Sequence, residues 1–243
     1  MIYRQVIEIP SYLCDVDDRL HVWAAVRLCQ EVTEYHGNAT GIGFNTLLTQ
    51  NRAWVITRAF YDIKRLPDAF ERVQLKTWSR GNNGLLAFRD YTMTAENGEN
   101  LLSGTSAWAM IDMTQRRVLR LNELIANYEN HPDKATEYDV LPRLTIPKMA
   151  ADDTVMRRTV GFAMLDHTQH VNNSEYIRLI FDYLYENGVF RSNRQFSLDL
   201  SYHMESRQGE ELDLMSCADG RCFNFQINNP RALSVTAQVI FRN

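Results

Sequence analysis

The sequence predicts an α+β protein of two similar units in tandem, each a long helix wrapped by an antiparallel sheet. Helical periodicity gives way to several alternating segments, a proline-bearing stretch interrupts them, and the same order then returns. The first unit is expected at residues 1–130, a linker at 131–153 and the second unit at 154–243.

The first ten residues alternate apolar and polar side chains, as a strand does. Val22, Val26, Cys29, Val32 and His36 then recur at helical spacing, and Gly37 is the expected stop. Alternation predicts strands over 52–66, 72–80, 85–96 and 101–113, with Asn97-Gly98 as a hairpin turn between the last two. From about residue 120 the pattern lapses around Pro132, Pro142 and Pro147.

A strand over 154–162, a helix from Asn173 to Glu186 and strands over 195–204, 210–217, 221–227 and 233–241 repeat the order. A sparse residue match supports duplication: Asp17, His21 and Val22 fall on Asp166, His170 and Val171 at one offset, and Arg27-Leu28 on Arg178-Leu179 after a two-residue insertion.

The 243 residues, 45% hydrophobic and 23% charged, suffice for a substantial core. A net charge of −4 argues against a general nucleic-acid binder. No run of about 18 apolar residues occurs, and the amino terminus lacks a signal-peptide pattern, so a soluble, cytoplasmic protein is expected. Cys14, Cys29, Cys217 and Cys222 are scattered, which predicts free thiols and no zinc site.

The most polar stretch lies directly before the second helix: Asp166, His167, Thr168, Gln169, His170, Asn172 and Asn173. Asn172 is the expected N-cap, with Glu175 reaching back to complete a capping box. The helix N-terminus then offers N–H groups and a positive dipole end beside His170. His167, His170 and Asp166 sit in one turn without a second ligand cluster, so no metal is expected.

The stretch from Leu165 to Asn173, followed by Tyr176, resembles the active-site signature of acyl-acyl-carrier-protein thioesterases. The segment from Asp199 to Ser206 is similar to that family's second catalytic strand. Ala53-Trp54-Val55, Arg65-Leu66-Pro67, Thr77-Trp78, Arg89-Asp90 and Ser106-Ala107-Trp108 are similar to its other recurring blocks, in order.

The resemblance implies a tandem double hot-dog fold, with an acyl-chain pocket in the first half, where Trp54 and Trp108 are candidate substrate-binding residues, and the chemistry in the second. It implies thioester hydrolysis without metal or nucleotide, on a fatty acyl chain carried by acyl carrier protein, which ends chain extension. By position, Asp166, His170 and Glu205 match the family's catalytic residues. Thr168 stands where many members have Asn, and Ser206 where plant members have Cys.

A thioester yields to water if a base takes a proton and donors hold the oxyanion. Glu205 is the candidate base and His170 the candidate donor, with Asp166 and Thr168 beside it and Asn172, Asn173 and Ser206 as accessory residues. Ser206 with His170 as nucleophile and base is a second scheme, although no nucleophile-elbow glycines flank it. An acyl-CoA thioesterase and a catalytically silent acyl-binding protein are the competing functions. Arginines such as Arg52, Arg116, Arg117 and Arg120 are candidates for docking an acidic carrier. Pairing of sheets between two chains would give a homodimer, and duplication can meet the same need within one chain.

Overall fold

The computed structural model describes residues 1–122, 124–125 and 128–242. Its first half runs β1 (Ile2–Glu8), α1 (Val22–Ala39), α2 (Phe44–Thr49), β2 (Arg52–Ile63), β3 (Arg72–Asn82), β4 (Leu86–Ala95), β5 (Asn100–Asp112) and the short β6 (Arg117–Val118). The second half runs β7 (Thr154–Thr159), α3 (Asn173–Glu186), β8 (Phe196–Tyr202), β9 (Glu211–Asp219), β10 (Cys222–Asn228) and β11 (Leu233–Phe241).

These strands form one antiparallel sheet in the order β1-β3-β4-β5-β2-β8-β11-β10-β9-β7, with β6 paired to β5. Read inward from either edge, the two halves have the same topology. They meet where β2 pairs with β8, from Arg58 opposite Ser201 to Ile63 opposite Phe196. This is the tandem double hot-dog fold, and it shows the duplication.

Each helix buries its apolar side against the sheet. Val22, Val26, Cys29 and Val32 of α1 and Tyr176, Ile177, Ile180 and Leu184 of α3 are buried in one cluster with Tyr61, Leu75, Phe196, Leu198 and Phe225. Removing side chains of this size from water stabilises by about 1.5–3 kcal/mol each. The helices also touch each other: Arg27 Nε donates to Ser174 Oγ at 2.8 Å, and Arg178 lies 4.3 Å from the Trp23 ring centroid.

Three local expectations are corrected. Gly37 does not stop α1, which continues to Ala39; a Cβ at Gly37 would lie 3.1 Å from Gly43 Cα, so the glycine serves a close approach instead. Glu175 does not complete a capping box, because its carboxylate is drawn to Arg27 at 3.3 Å and Arg178 at 3.5 Å. The residue match between the halves is also out of register.

Matching bridges decide that register. Cys14 pairs with Leu20 and Arg19 with Asp68, as Leu165 pairs with Val171 and His170 with Arg207. Asp15 Oδ1 accepts from the N–H groups of Asp17 and Arg19, as Asp166 Oδ1 accepts from those of Thr168 and His170. Asp15 therefore corresponds to Asp166, Arg19 to His170 and His21 to Asn172, in continuous register through Arg27 and Arg178. Leu20 N–H donates to Pro67 O where Val171 N–H donates to Ser206 O, so Leu66 occupies the place of Glu205. The first half has neither the histidine nor the carboxylate.

Residues 133–141 lie on the outer face of the first half. Trp78 Nε1 donates to Asp133 O at 2.8 Å, Ala135 N–H to Asp90 Oδ2 at 2.7 Å and Arg58 to Leu141 O at 2.7 Å. Polar strand side chains there find backbone partners, which holds an irregular segment without a ladder.

Candidate active site

The turn before α3 is built around one carboxylate. Asp166 Oδ1 accepts from Thr168 N–H at 2.8 Å and from the Thr168 hydroxyl at 2.6 Å, and Gln169 takes a φ of 65° to close the turn. The Thr168 hydroxyl lies 3.2 Å from His170 Nδ1. Its one proton goes to Asp166, so it accepts from Nδ1–H.

His170 Nε2 faces Glu205 Oε1 at 3.3 Å. Glu205 follows β8 in a turn tied down by Asn229, whose amide donates to Glu205 O at 3.1 Å. Arg207 reaches the same Oε1 at 3.1 Å, and Arg116, from the turn between β5 and β6, pairs with it as well. Among the described residues, no protein donor takes Oε2. Partial burial pushes the Glu205 carboxyl up, but Arg207, His170 and Arg116 together outweigh it and hold the group below the usual glutamate value.

Asn172 caps α3, its Oδ1 accepting from Ser174 N–H at 3.0 Å and its backbone O from Glu175 N–H at 2.9 Å. The cap thus occupies two of the first helical donors and leaves Asn173 N–H, which has no intrahelical acceptor by its position. Asn173, His170, Thr168 and Asp166 line a cavity of about 750 Å³ that continues into the first half, where Trp54, Trp108 and Ile56 line it.

Family models for the acyl-ACP thioesterase N-terminal domain and C-terminal domain match residues 1–128 and 148–240. The chain belongs to the acyl-ACP thioesterase family. A chloroplastic dodecanoyl-[acyl-carrier-protein] hydrolase of Umbellularia californica is 26% identical over 235 residues, which cover 90% of this chain and 60% of that protein. A palmitoyl-acyl carrier protein thioesterase of Arabidopsis thaliana is 26% identical over 233 residues, covering 90% of this chain and 56% of that one. The chain therefore spans less than two thirds of the length of these relatives. An acyl-ACP thioesterase from Bacteroides thetaiotaomicron superposes with a TM-score of 0.79 at 21% identity, over 99% of this chain and 98% of that one. The 12:0-ACP thioesterase of Umbellularia californica does so with a TM-score of 0.83 at 20% identity, over 99% and 97%.

Within this family fold, the structure brings Asp166, Thr168, His170 and Glu205 into one connected group. It does not bring Ser206 to His170. The Ser206 side chain is fully buried, its hydroxyl 2.9 Å from Ser234 Oγ and accepting from Asn229 at 3.2 Å. Asp166 does not touch the His170 ring either, but acts on it through Thr168.

Trp54 and Trp108 line the cavity with their indole N–H groups turned away to Ile42 O and Ser106 Oγ. Met93 and Met110 are buried elsewhere and do not line it. Sequence reasoning missed Arg116 and Arg207 as partners of Glu205, and Arg89 as part of the cavity wall. Arg207 sits two residues from Glu205, a spacing that signals it; Arg116 carries no such local sign.

Proposed function

We propose that this chain hydrolyses the thioester of a fatty acyl chain carried on acyl carrier protein, releasing the free fatty acid. The observation that carries this is the 3.3 Å approach of His170 Nε2 to Glu205 at a cavity that runs into an apolar first half. Family membership supplies the substrate class, since the relatives named above act on acyl carrier protein thioesters.

Glu205 Oε2 takes a proton from water, and the water oxygen attacks the thioester carbonyl carbon. Asn173 N–H, at the positive end of α3, stabilises the oxyanion. As the C–S bond breaks, Glu205 passes the proton it took from water to His170 Nε2, which delivers it to the leaving thiolate. Thr168 and Asp166 hold the ring through Nδ1 in the orientation this requires. The first half supplies the acyl channel and the second the reacting groups, a division that the loss of both histidine and carboxylate from the first half supports.

Free-thiol release from acyl carrier protein and from CoA, each loaded with the same chain, tests the reading. Faster turnover on the carrier protein upholds it. Faster turnover on CoA would reassign the substrate, and tight acyl binding without release by either would leave a silent binder.

A further inference from the structure

Glu205 is gripped from the other half of the molecule. Arg116 reaches it from the turn between β5 and β6, where Asp112 Oδ1 accepts from the N–H groups of Thr114 at 2.9 Å and Gln115 at 2.8 Å. Asn51 ties the same turn, its amide donating to Thr114 Oγ1 at 2.8 Å and its backbone O accepting from Met113 N–H at 3.0 Å. Arg116 itself has a φ of 49°, a left-handed conformation that glycine takes readily and most residues with a Cβ avoid. Arg52 and Arg117 both stand opposite Asp112 in the ladder, which adds two guanidinium groups to this end of the first half.

Among the described residues, charged groups face the Glu205 carboxyl from three sides: His170 from the turn before α3, Arg207 from its own turn and Arg116 from the first half. Arg231 reaches only its backbone O and pairs with Glu210. Arg207 is fixed beside Glu205, its N–H donating to Glu210 Oε2 at 2.8 Å, and it does not line the cavity. Arg116 does line the cavity, and its side chain is 56% exposed. Of the two arginines on the carboxylate, Arg116 is the one that an entering substrate meets.

A cation on a carboxylate opposes the proton that a base must accept. A base works best when it titrates near the working pH, and Glu205 is held below the usual glutamate value in part by Arg116. Arg116 therefore steadies the base and weakens it. Lifting this one cation away makes the carboxylate more basic, while Arg207 and His170 keep it in place.

We infer that Arg116 is a specificity-determining latch, which holds Glu205 until a phosphate on the thiol arm of the substrate draws the guanidinium away and frees the base. This rests on the functional reading above. Acyl carrier protein and CoA both present the thioester on a pantetheine arm that carries a phosphate, and a guanidinium matches phosphate oxygens as a two-pronged donor. A thioester without that phosphate leaves the latch closed. The protein thus tells a carried acyl group from a bare one through its base as well as through binding.

The test compares wild type, Arg116→Gly and Arg116→Lys on one acyl chain borne by carrier protein, by CoA and by N-acetylcysteamine, a thiol that lacks the phosphate. Glycine suits the backbone at position 116, so this variant removes the charge and keeps the turn. Wild type is expected to show a kcat severalfold lower on the N-acetylcysteamine thioester than on the other two. Arg116→Gly is expected to raise that kcat severalfold and to raise KM for the carrier protein and CoA substrates alone, while Arg116→Lys keeps the wild-type order of substrates. The acid limb of kcat reports groups in the substrate complex. On the N-acetylcysteamine thioester it is expected at higher pH in Arg116→Gly than in wild type, and on carrier protein the two limbs coincide. Equal losses on all three substrates would show a purely structural pair and overturn the latch. A latch opened by carrier protein but not by CoA would overturn the phosphate as its key. If no thioester is cleaved, calorimetric binding of an acyl-CoA thioether decides separately: weaker binding by Arg116→Gly sustains the phosphate contact and overturns only the hydrolase reading, and unchanged binding overturns the inference.

Discussion

The Thr168 hydroxyl lies 3.2 Å from Nδ1 of His170 and 2.6 Å from Asp166, so the carboxylate acts on the ring through an intervening hydroxyl. A bond ending on a charged group is worth about 1.5–3 kcal/mol, or on the order of 10–100-fold in rate if it is needed in the transition state. Thr168→Val should lower kcat by that range with little change in KM, while Thr168→Ser keeps most of the rate. Steady-state kinetics of the two variants check this, and an unimpaired Thr168→Val would remove Asp166 from the mechanism.

His170→Ala and Glu205→Gln should each lose about a hundredfold or more in thiol release, the scale of general acid–base assistance. Ser206→Ala should keep its rate, because that hydroxyl is buried against Ser234 and Asn229. A dead Ser206→Ala enzyme that remains folded, with an acyl group trapped on the wild type, would show a covalent route.

Arg207, His170 and Arg116 hold the Glu205 carboxyl below the usual glutamate value against the opposing effect of burial. Removing a cation raises that pKa, so Glu205 becomes protonated at a higher pH than in the wild type. The acid limb of kcat/KM should therefore move to higher pH in Arg207→Met. A pH–rate profile that does not move would mean that Glu205 is not the group titrating on that limb.

His36 is pushed down to about 4 by its burial and by the neighbouring Arg89 charge, from an ordinary value of 6.5. Between those values the unfolded chain takes up a proton that the native protein refuses, so stability is full above pH 6.5 and declines as pH falls toward 4. The fall in Tm over this range should be shallower in His36→Asn, whose amide oxygen can still accept from Arg89. Thermal melts of both proteins across pH 4 to 7 give the comparison.

Glu175 is nearly buried, with Arg27 from the other half at 3.3 Å and Arg178 at 3.5 Å. Arg27→Met should cost about 1–3 kcal/mol by depriving a buried charge of a donor. Adding Glu175→Gln should recover part of that loss. Urea denaturation of the two single variants and the double variant measures the coupling, and strictly additive losses would show that the pair does not join the halves.

Periodicity and punctuation belong to short stretches of chain, and these were legible. The long helices follow from the apolar recurrence in 22–36 and 173–186, the Asn97-Gly98 hairpin from the one residue type that accepts its φ of 85° at Gly98, and the start of α3 from Asn172 as its cap. His170 and Glu205 were found as candidates by their place in recurring motifs, 35 residues apart. Local signals failed where a distant partner competed. Glu175 has a capping-box spacing, yet Arg27 from 148 residues away outbids the cap. Gly37 looks like a stop until Gly43 folds against it. The Asp17 and His21 match to the turn before α3 is a coincidence of letters that the bridge at Arg19 and Asp68 corrects.

The sequence by itself determined the element types and the two-fold order of elements, because each is written in spacing along the chain, while His170 and Glu205 came forward as candidates through the resemblance of their motifs to a family. Only the tertiary structure decided that Arg116 of the first half grips Glu205 of the second, that Ser206 is turned away into Ser234, and that Trp54 and Trp108 of the first half line one cavity with His170 of the second. Those facts depend on which strands meet, β2 with β8 above all. Burial and charge act through space, and the chain encodes that proximity only in the sum of its contacts.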